Sequence, residues 1–176
     1  MLHVQLPYKK HIQWLCRGTT LDVGCGIGRH LSVLDPSSVG VEHNRYCVDY
    51  LTKRGYQAFT PTDFAAFVAS TGFCADNLLL AHVLEHLTDD EIQHLFKMYM
   101  PSIKAMGTIV IITPQRAGFK SDPTHKNFIN FNKIKHIATK IGCGVRSQYS
   151  FPFPRLAGIC FSHNEFISIL SKVDTQ

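Results

Sequence analysis

Short unbroken apolar runs alternate along this chain with apolar stripes spaced by three or four positions. Tyr8, Ile12, Leu15 and Cys16 follow Pro7 at helical spacing and predict an amphipathic entry helix, with Gly18 as its stop. Thr20–Val23 is the first strand. After it, His30–Leu34 continues as a short helix until Asp35-Pro36 breaks it. Val39-Gly40-Val41-Glu42 predicts a second strand closed by an acid. Asn44 caps a helix carrying Val48 and Leu51, ended by Gly55. Gln57–Phe59 is a brief third strand, and Thr60-Pro61-Thr62 opens a helix with Phe64, Phe67 and Val68 facing inward.

The run Asn77–Ala81 has the unbroken apolarity of a central strand covered on both faces. Thr88 to Glu91 form a capping box before a stripe of Ile92, Leu95, Phe96 and Tyr99, and Pro101 bends the end of that helix. Thr108–Thr113 predicts a strand. Residues 114–130 are polar and interrupted by Pro and Gly, a connection of the length that forms lids and binding walls. Ile134, Ile137, Ala138 and Ile141 mark a further helix ended by Gly142. Closing strands follow near Val145–Phe151 and Ile159–Leu170, separated by Pro152-Phe153-Pro154. Strands alternating with helices predict an α/β fold with a mostly parallel sheet. Ligands in such sheets bind beyond the carboxyl ends of the strands, which is where Asp22, Glu42, Asp63 or Phe64, His82 and Thr113 fall.

At 176 residues the chain is expected to be one domain, 1–176, able to bury roughly 70% of its unfolded surface. Hydrophobic residues at 45% and charged residues at 18% argue against disorder. No apolar run reaches the roughly 20 residues of a membrane span. The first ten residues lack the pattern of a secretory signal, so the expected location is cytoplasmic. Six cysteines without a Cys-x-x-Cys pair suit free thiols in a reducing compartment. A formal net charge of +5 on scattered basic residues permits an acidic substrate or RNA without demanding either.

The chemistry begins at Asp22-Val23-Gly24-Cys25-Gly26-Ile27-Gly28. Alternate glycines where a strand gives way to a helix let a ligand approach the backbone and the N–H groups at the helix start. A nucleoside triphosphate needs a Lys after the last glycine, and Arg29 stands there instead. A dinucleotide needs Gly-x-Gly-x-x-Gly, and Gly28 comes one residue early. Asp22-x-Gly24-x-Gly26-x-Gly28 resembles the first motif of the class I S-adenosylmethionine-dependent methyltransferases. Glu42, twenty residues after Asp22, resembles their ribose-binding acid. Asn77–Leu87 is similar to the fourth-strand motif of the ubiquinone-biosynthesis-like branch. Thr60–Ala65, Asp122–His125, Phe151–Arg155 and Asn164–Phe166 resemble an uncharacterised bacterial subgroup of methyltransferases.

The resemblance implies a single doubly wound, seven-stranded, mostly parallel sheet with helices on both faces and the last strand antiparallel. Residues 1–18 would be an entry helix and 114–130 an acceptor-side loop. It implies S-adenosyl-L-methionine as cofactor, with Asp22, Gly24, Cys25, Gly26 and Gly28 around its methionine part and Glu42 at the ribose. His43 would lie beside the adenosine, Asp63 or Phe64 near the adenine, and Ala81 and His82 beneath the sulfonium. The expected function is methyl transfer to a small-molecule or glycan-like acceptor, oxygen before nitrogen. A catalytically silent cofactor-binding partner subunit stands as an alternative. A hydroxyl acceptor needs a base, and His125, His82 and His86 are the candidates.

Two other motifs compete. His82-Val83-Leu84-Glu85-His86 fits the inverted zinc-peptidase pattern His-x-x-Glu-His, but that motif needs both histidines on one helix face and His82 ends a strand. The chain also resembles, in two places, the family that methylates the terminal 2′-hydroxyl of small RNAs around a divalent metal. Its ligand set here would be His82, Glu85, His86 and His125, with His82 replacing a carboxylate. Three imidazoles and one carboxylate suit zinc, iron or manganese better than magnesium. The reading adopted is that Glu85 pairs locally, His86 packs, only His82 or His125 touches ligand, and no metal is bound.

Overall fold

The computed structural model describes residues 6–172. The buried runs become seven strands: Thr20–Val23 (β1), Val39–Val41 (β2), Gln57–Phe59 (β3), Ala75–Ala81 (β4), Ile103–Pro114 (β5), Cys143–Phe151 (β6) and Glu165–Lys172 (β7). They form one sheet in the order β3-β2-β1-β4-β5-β7-β6, so the strand order reverses between β1 and β4. The pairs β2–β3, β1–β2 and β1–β4 are parallel. β7 runs antiparallel to both β5 and β6, so the expected α/β sheet with its antiparallel last strand is the one found. Leu78, Leu79 and Leu80 on β4 are wholly buried, as are Ile109, Val110 and Ile112 on β5. Successive strand residues point to opposite faces, so burial of neighbours requires both faces to be covered. Truncating any one of these leucines to Ala costs about 2–5 kcal/mol.

The chain divides into two compact units. The first runs to Leu79 and includes Pro101–Gly107; the second holds Leu80–Met100 and the chain from Thr108 onward. In the first, helix α1 (Leu6–Leu15) buries Ile12 and Leu15. Positions 1–5 of the expected entry segment lie outside the described residues. Helix α2 (Arg45–Lys53) starts at Asn44, whose side chain accepts from the Tyr46 N–H. Helix α3 (Pro61–Thr71) is capped by Thr60 and ends at Gly72, where φ is 67°. In the second, helix α4 (Asp89–Tyr99) has the capping box Thr88–Glu91 complete in both directions. Helices α5 (Arg116–Ser121) and α6 (Phe131–Lys140) follow.

Three sequence expectations are corrected. No helix forms at His30–Leu34, where residues 24–34 make isolated turns. Gly28 sits at φ 81° and Pro36 follows closely, which leaves too few residues to nucleate a helix. Of the inward stripe on α3 only Phe64 is buried, while Phe67 and Val68 are half-buried. Within the 114–130 connection, α5 forms a short helix. The last strand begins at Glu165 rather than Ile159, because Arg155–Ile159 coils into a 3₁₀ turn. Among the described residues no helix is long and apolar enough to cross a membrane.

Candidate functional site

In the first unit, β1 leads into a loop whose Gly24, Gly26 and Gly28 all have positive φ, at 77°, 54° and 81°. Those values lie where a Cβ is disfavoured, so glycine is the residue the path requires. The N–H groups of Gly24 and Cys25 donate to Val41 O, and that of Gly28 donates to Cys25 O. The Gly26 N–H donates to Glu42 Oε2 at 3.0 Å. The expected row of N–H groups at a helix start is therefore absent, because these donors are used within the loop and on β2. Above Gly26 there is open space: a Cβ built there meets nothing within 4 Å.

Glu42 follows β2 and is 6% exposed. Its Oε1 accepts from the Asn44 N–H at 2.9 Å and lies 2.7 Å from His43 Nδ1. The His43 ring itself is out in solvent. The glycine loop, the acid and His43 are thus brought together. Asp22 is 1% exposed, and its Oδ2 has no hydrogen-bond partner. His30 Nδ1 stands 3.6 Å from that oxygen. Cys25 is buried, and its thiol packs where Gly40 leaves no room for a side chain. Burial and the neighbouring Asp22 and Glu42 charges push that thiol's pKa up, which keeps it neutral.

The two adenine candidates are otherwise engaged. The Asp63 carboxylate accepts from Arg45 at 3.0 Å and from the Thr60 hydroxyl at 2.9 Å. Phe64 is buried among Phe67 and Phe73.

In the second unit, Ala81 ends β4 and His82 follows with φ 59°. A non-glycine residue in that region carries a cost of order 1–3 kcal/mol, and such strain clusters at functional sites. His82 is clamped between two carboxylates: Nδ1 lies 3.1 Å from Glu85 Oε1, and Nε2 lies 2.8 Å from Glu165 Oε1. Burial alone would lower its pKa, but the hydrogen bonds and charges of Glu165 and Glu85 override it and raise the value to about 10. His82 is an imidazolium at neutral pH, with both ring nitrogens committed as donors.

The same buried Glu85 belongs to a second cluster. One ligand atom each from Glu85, His86 and His125 lies within 4.8 Å of the others. His125 Nδ1 donates to Phe119 O at 2.9 Å, so its Nε2 carries the lone pair in the neutral ring. Thr124 Oγ1 donates to Asp122 Oδ1 and lies 3.2 Å from His86 Nδ1, which makes that nitrogen the donor and Nε2 the lone-pair nitrogen in the neutral ring. Glu85 Oε2 is buried without a hydrogen-bond partner. The alternative metal quartet of His82, Glu85, His86 and His125 is therefore split: three converge, and His82 has no nitrogen left to offer.

Sequence reasoning gave no role to Glu165, His30 or Gln115. Glu165 comes from the far end of the chain, and its pairing with His82 follows from β7 lying beside β5. No local pattern announces it. Gln115 is 2% exposed and donates to Ser150 Oγ and Glu165 O, fastening the end of β5 to β6 and β7.

No family model matches the sequence, and comparison with curated proteins gives no match. Solved structures do match. A SAM-dependent methyltransferase from Archaeoglobus fulgidus is 19% identical, with 96% of this chain and 93% of that chain covered at TM-score 0.69. Magnesium protoporphyrin IX methyltransferase from Synechocystis, with bound SAH, is 12% identical over 96% of this chain and 83% of that one, at TM-score 0.67. The methyltransferase domain of the bacterial protein CtHen1-C is 17% identical over 94% and 95%, again at 0.67. At these identities the likeness is one of fold, and the fold is that of the class I methyltransferases.

Proposed function

We propose that this chain is an S-adenosylmethionine-dependent methyltransferase built as a single domain, acting on a small-molecule or glycan-like acceptor with oxygen preferred to nitrogen. The observation that carries the reading is the bond from the Gly26 N–H to Glu42: the acid that closes β2 holds the tip of the glycine loop, beside open space. Two features of the first unit fit the cofactor. Glu42 has a carboxylate positioned to accept from vicinal hydroxyls, and Asp22 Oδ2 is a buried acceptor without a donor, suited to an ammonium group. Structural neighbours crystallised with SAM or SAH support the same choice.

The cofactor supplies a methyl group on an activated sulfonium. The chain's own part is to bind, to orient and to move a proton. His82 is a poor base because its proton is held by two carboxylates, so Nε2 of His86 or of His125 is the proton acceptor for a hydroxyl. The test is calorimetric titration with S-adenosylhomocysteine, followed by incubation with methyl-labelled cofactor and a cell extract. Binding with label transferred supports the reading. Binding without transfer favours the silent partner subunit, and no binding overturns the cofactor assignment.

A second reading rests on the Glu85, His86 and His125 cluster: a metal-dependent enzyme resembling the terminal 2′-O-methyltransferases of RNA. Two imidazoles and a buried carboxylate, one of whose oxygens has no hydrogen-bond partner, fit zinc, iron or manganese. A metal there would act as a Lewis acid on an acceptor hydroxyl. Metal analysis of the purified protein, with transfer measured in chelator, tests it; full activity in chelator removes it.

A further inference from the structure

A cavity of about 530 Å³ opens in the second unit where β5 ends and the 3₁₀ turn Arg155–Ile159 folds over Gln115. Its walls are of two kinds. Phe128, Phe166, Leu156 and Ile159 supply apolar surface, and Leu156 and Ile159 are 80% and 59% exposed. Arg116 and Arg155 supply charge. Large aliphatic side chains left in water beside two guanidinium groups are poorly explained by folding, since each gains by being covered.

Neither arginine is neutralised. Among the described residues Arg116 and Arg155 make no ion pair with a carboxylate. Arg155 lies over the Phe131 and Phe166 rings, 5.7 Å from each centroid. A guanidinium laid on aromatic faces keeps its N–H donors at its edge, where they can grip a planar anion in two places. Glu165, next in the chain to the wall residue Phe166, already faces the His82 imidazolium.

The wall is also built rather than incidental. Asn164 is fully buried; its Oδ1 accepts from the Phe153 N–H at 2.9 Å and its Nδ2 donates to Pro154 O at 3.3 Å. The Asn164 carbonyl in turn accepts from the Gln115 N–H. The turn can sit this low only because residue 158 is glycine: a Cβ there would collide with the Gln115 side chain.

We infer that this cavity binds a small amphiphilic carboxylate, its acid held by Arg116 and Arg155 and its apolar body lying against Phe128, Phe166, Leu156 and Ile159. The inference rests on the methyltransferase reading only for its meaning, since it then names the acceptor class; the binding itself stands alone. The probes are 2-naphthoate and its uncharged counterpart 2-naphthylmethanol, titrated against the full chain at pH 7, with S-adenosylhomocysteine titrated in parallel. The expected result is saturable naphthoate binding at least tenfold tighter than naphthylmethanol, weakened at least tenfold in Arg155→Gln and also in Arg116→Gln. Among the described residues the Arg116 side chain makes no hydrogen bond or ion pair, so its substitution leaves the fold intact even where Arg155→Gln disturbs the aromatic stack. Equal affinity for the two probes, or undiminished naphthoate binding in the Arg116→Gln, Arg155→Gln double variant, overturns the inference. Naphthoate binding without S-adenosylhomocysteine binding removes the methyltransferase reading and leaves the acid site. The converse result removes the acid site alone.

Discussion

Glu42 and Gly26 are joined by a 3.0 Å hydrogen bond from backbone N–H to carboxylate, so the acid and the loop form one object. A change at Glu42 must therefore act on both. Hydrogen bonds to charged groups contribute about 1.5–3 kcal/mol each, which corresponds to roughly tenfold or more in an equilibrium constant. Glu42→Ala is expected to weaken S-adenosylhomocysteine binding at least tenfold by calorimetry, with the circular dichroism of the folded chain kept. Unchanged affinity would show that Glu42 serves the loop alone.

The three glycines are not equivalent. Gly28 has φ 81°, and an added Cβ would run into the Leu51 side chain, which is wholly buried on α2. Gly26 has φ 54° and open space around it. Gly28→Ala should lower stability by about 1–3 kcal/mol in chemical denaturation, through both strain and overlap. Gly26→Ala should cost less stability yet reduce cofactor affinity more. Equal effects on both measurements would mean the loop is only a turn.

Most of the fold was legible because burial imposes simple patterns. Asn77–Ala81 and Thr108–Thr113 lie inside β4 and β5, and the Thr88 capping box is present in full. The acid at Glu42 was legible for the same reason, being fixed by a strand end. What the sequence concealed depends on contacts between distant segments or on backbone geometry. Nothing near His82 shows that Glu165 will face it from β7, so a histidine that looked like a candidate base becomes an imidazolium. Nothing in Gly24–Gly28 shows that its N–H groups will turn to Val41, Cys25 and Glu42, so a helix start was expected where only turns form.

His82 also sets a pH dependence. Its pKa is raised from 6.5 to about 10 in the folded chain, so the clamp stabilises the fold fully below pH 6.5 and that contribution is lost as pH rises to about 10. Denaturation midpoints of the native chain should fall between pH 7 and pH 10. In His82→Gln the midpoint at pH 7 should be lower, because Glu85 and Glu165 lose their charged partner, and the fall with pH should be shallower. Parallel pH profiles for the two proteins would show that the clamp carries no net proton linkage.

The last relationship separates proton transfer from metal binding at His125. Its Nδ1 donates to Phe119 O, and its Nε2, 3.8 Å from Asp122 Oδ2, is the nitrogen that would face an acceptor hydroxyl or a metal. His125→Ala is therefore expected to keep S-adenosylhomocysteine affinity within about twofold while slowing transfer by about 10²–10⁴, the range of a lost general base. If the ring acts as a base, the slowed reaction should respond to added imidazole. If it holds a metal, rescue should instead depend on the concentration of that ion, and His86→Ala should produce the same dependence, because both histidines offer a ligand atom to one cluster. A loss of cofactor affinity in His125→Ala would contradict both roles.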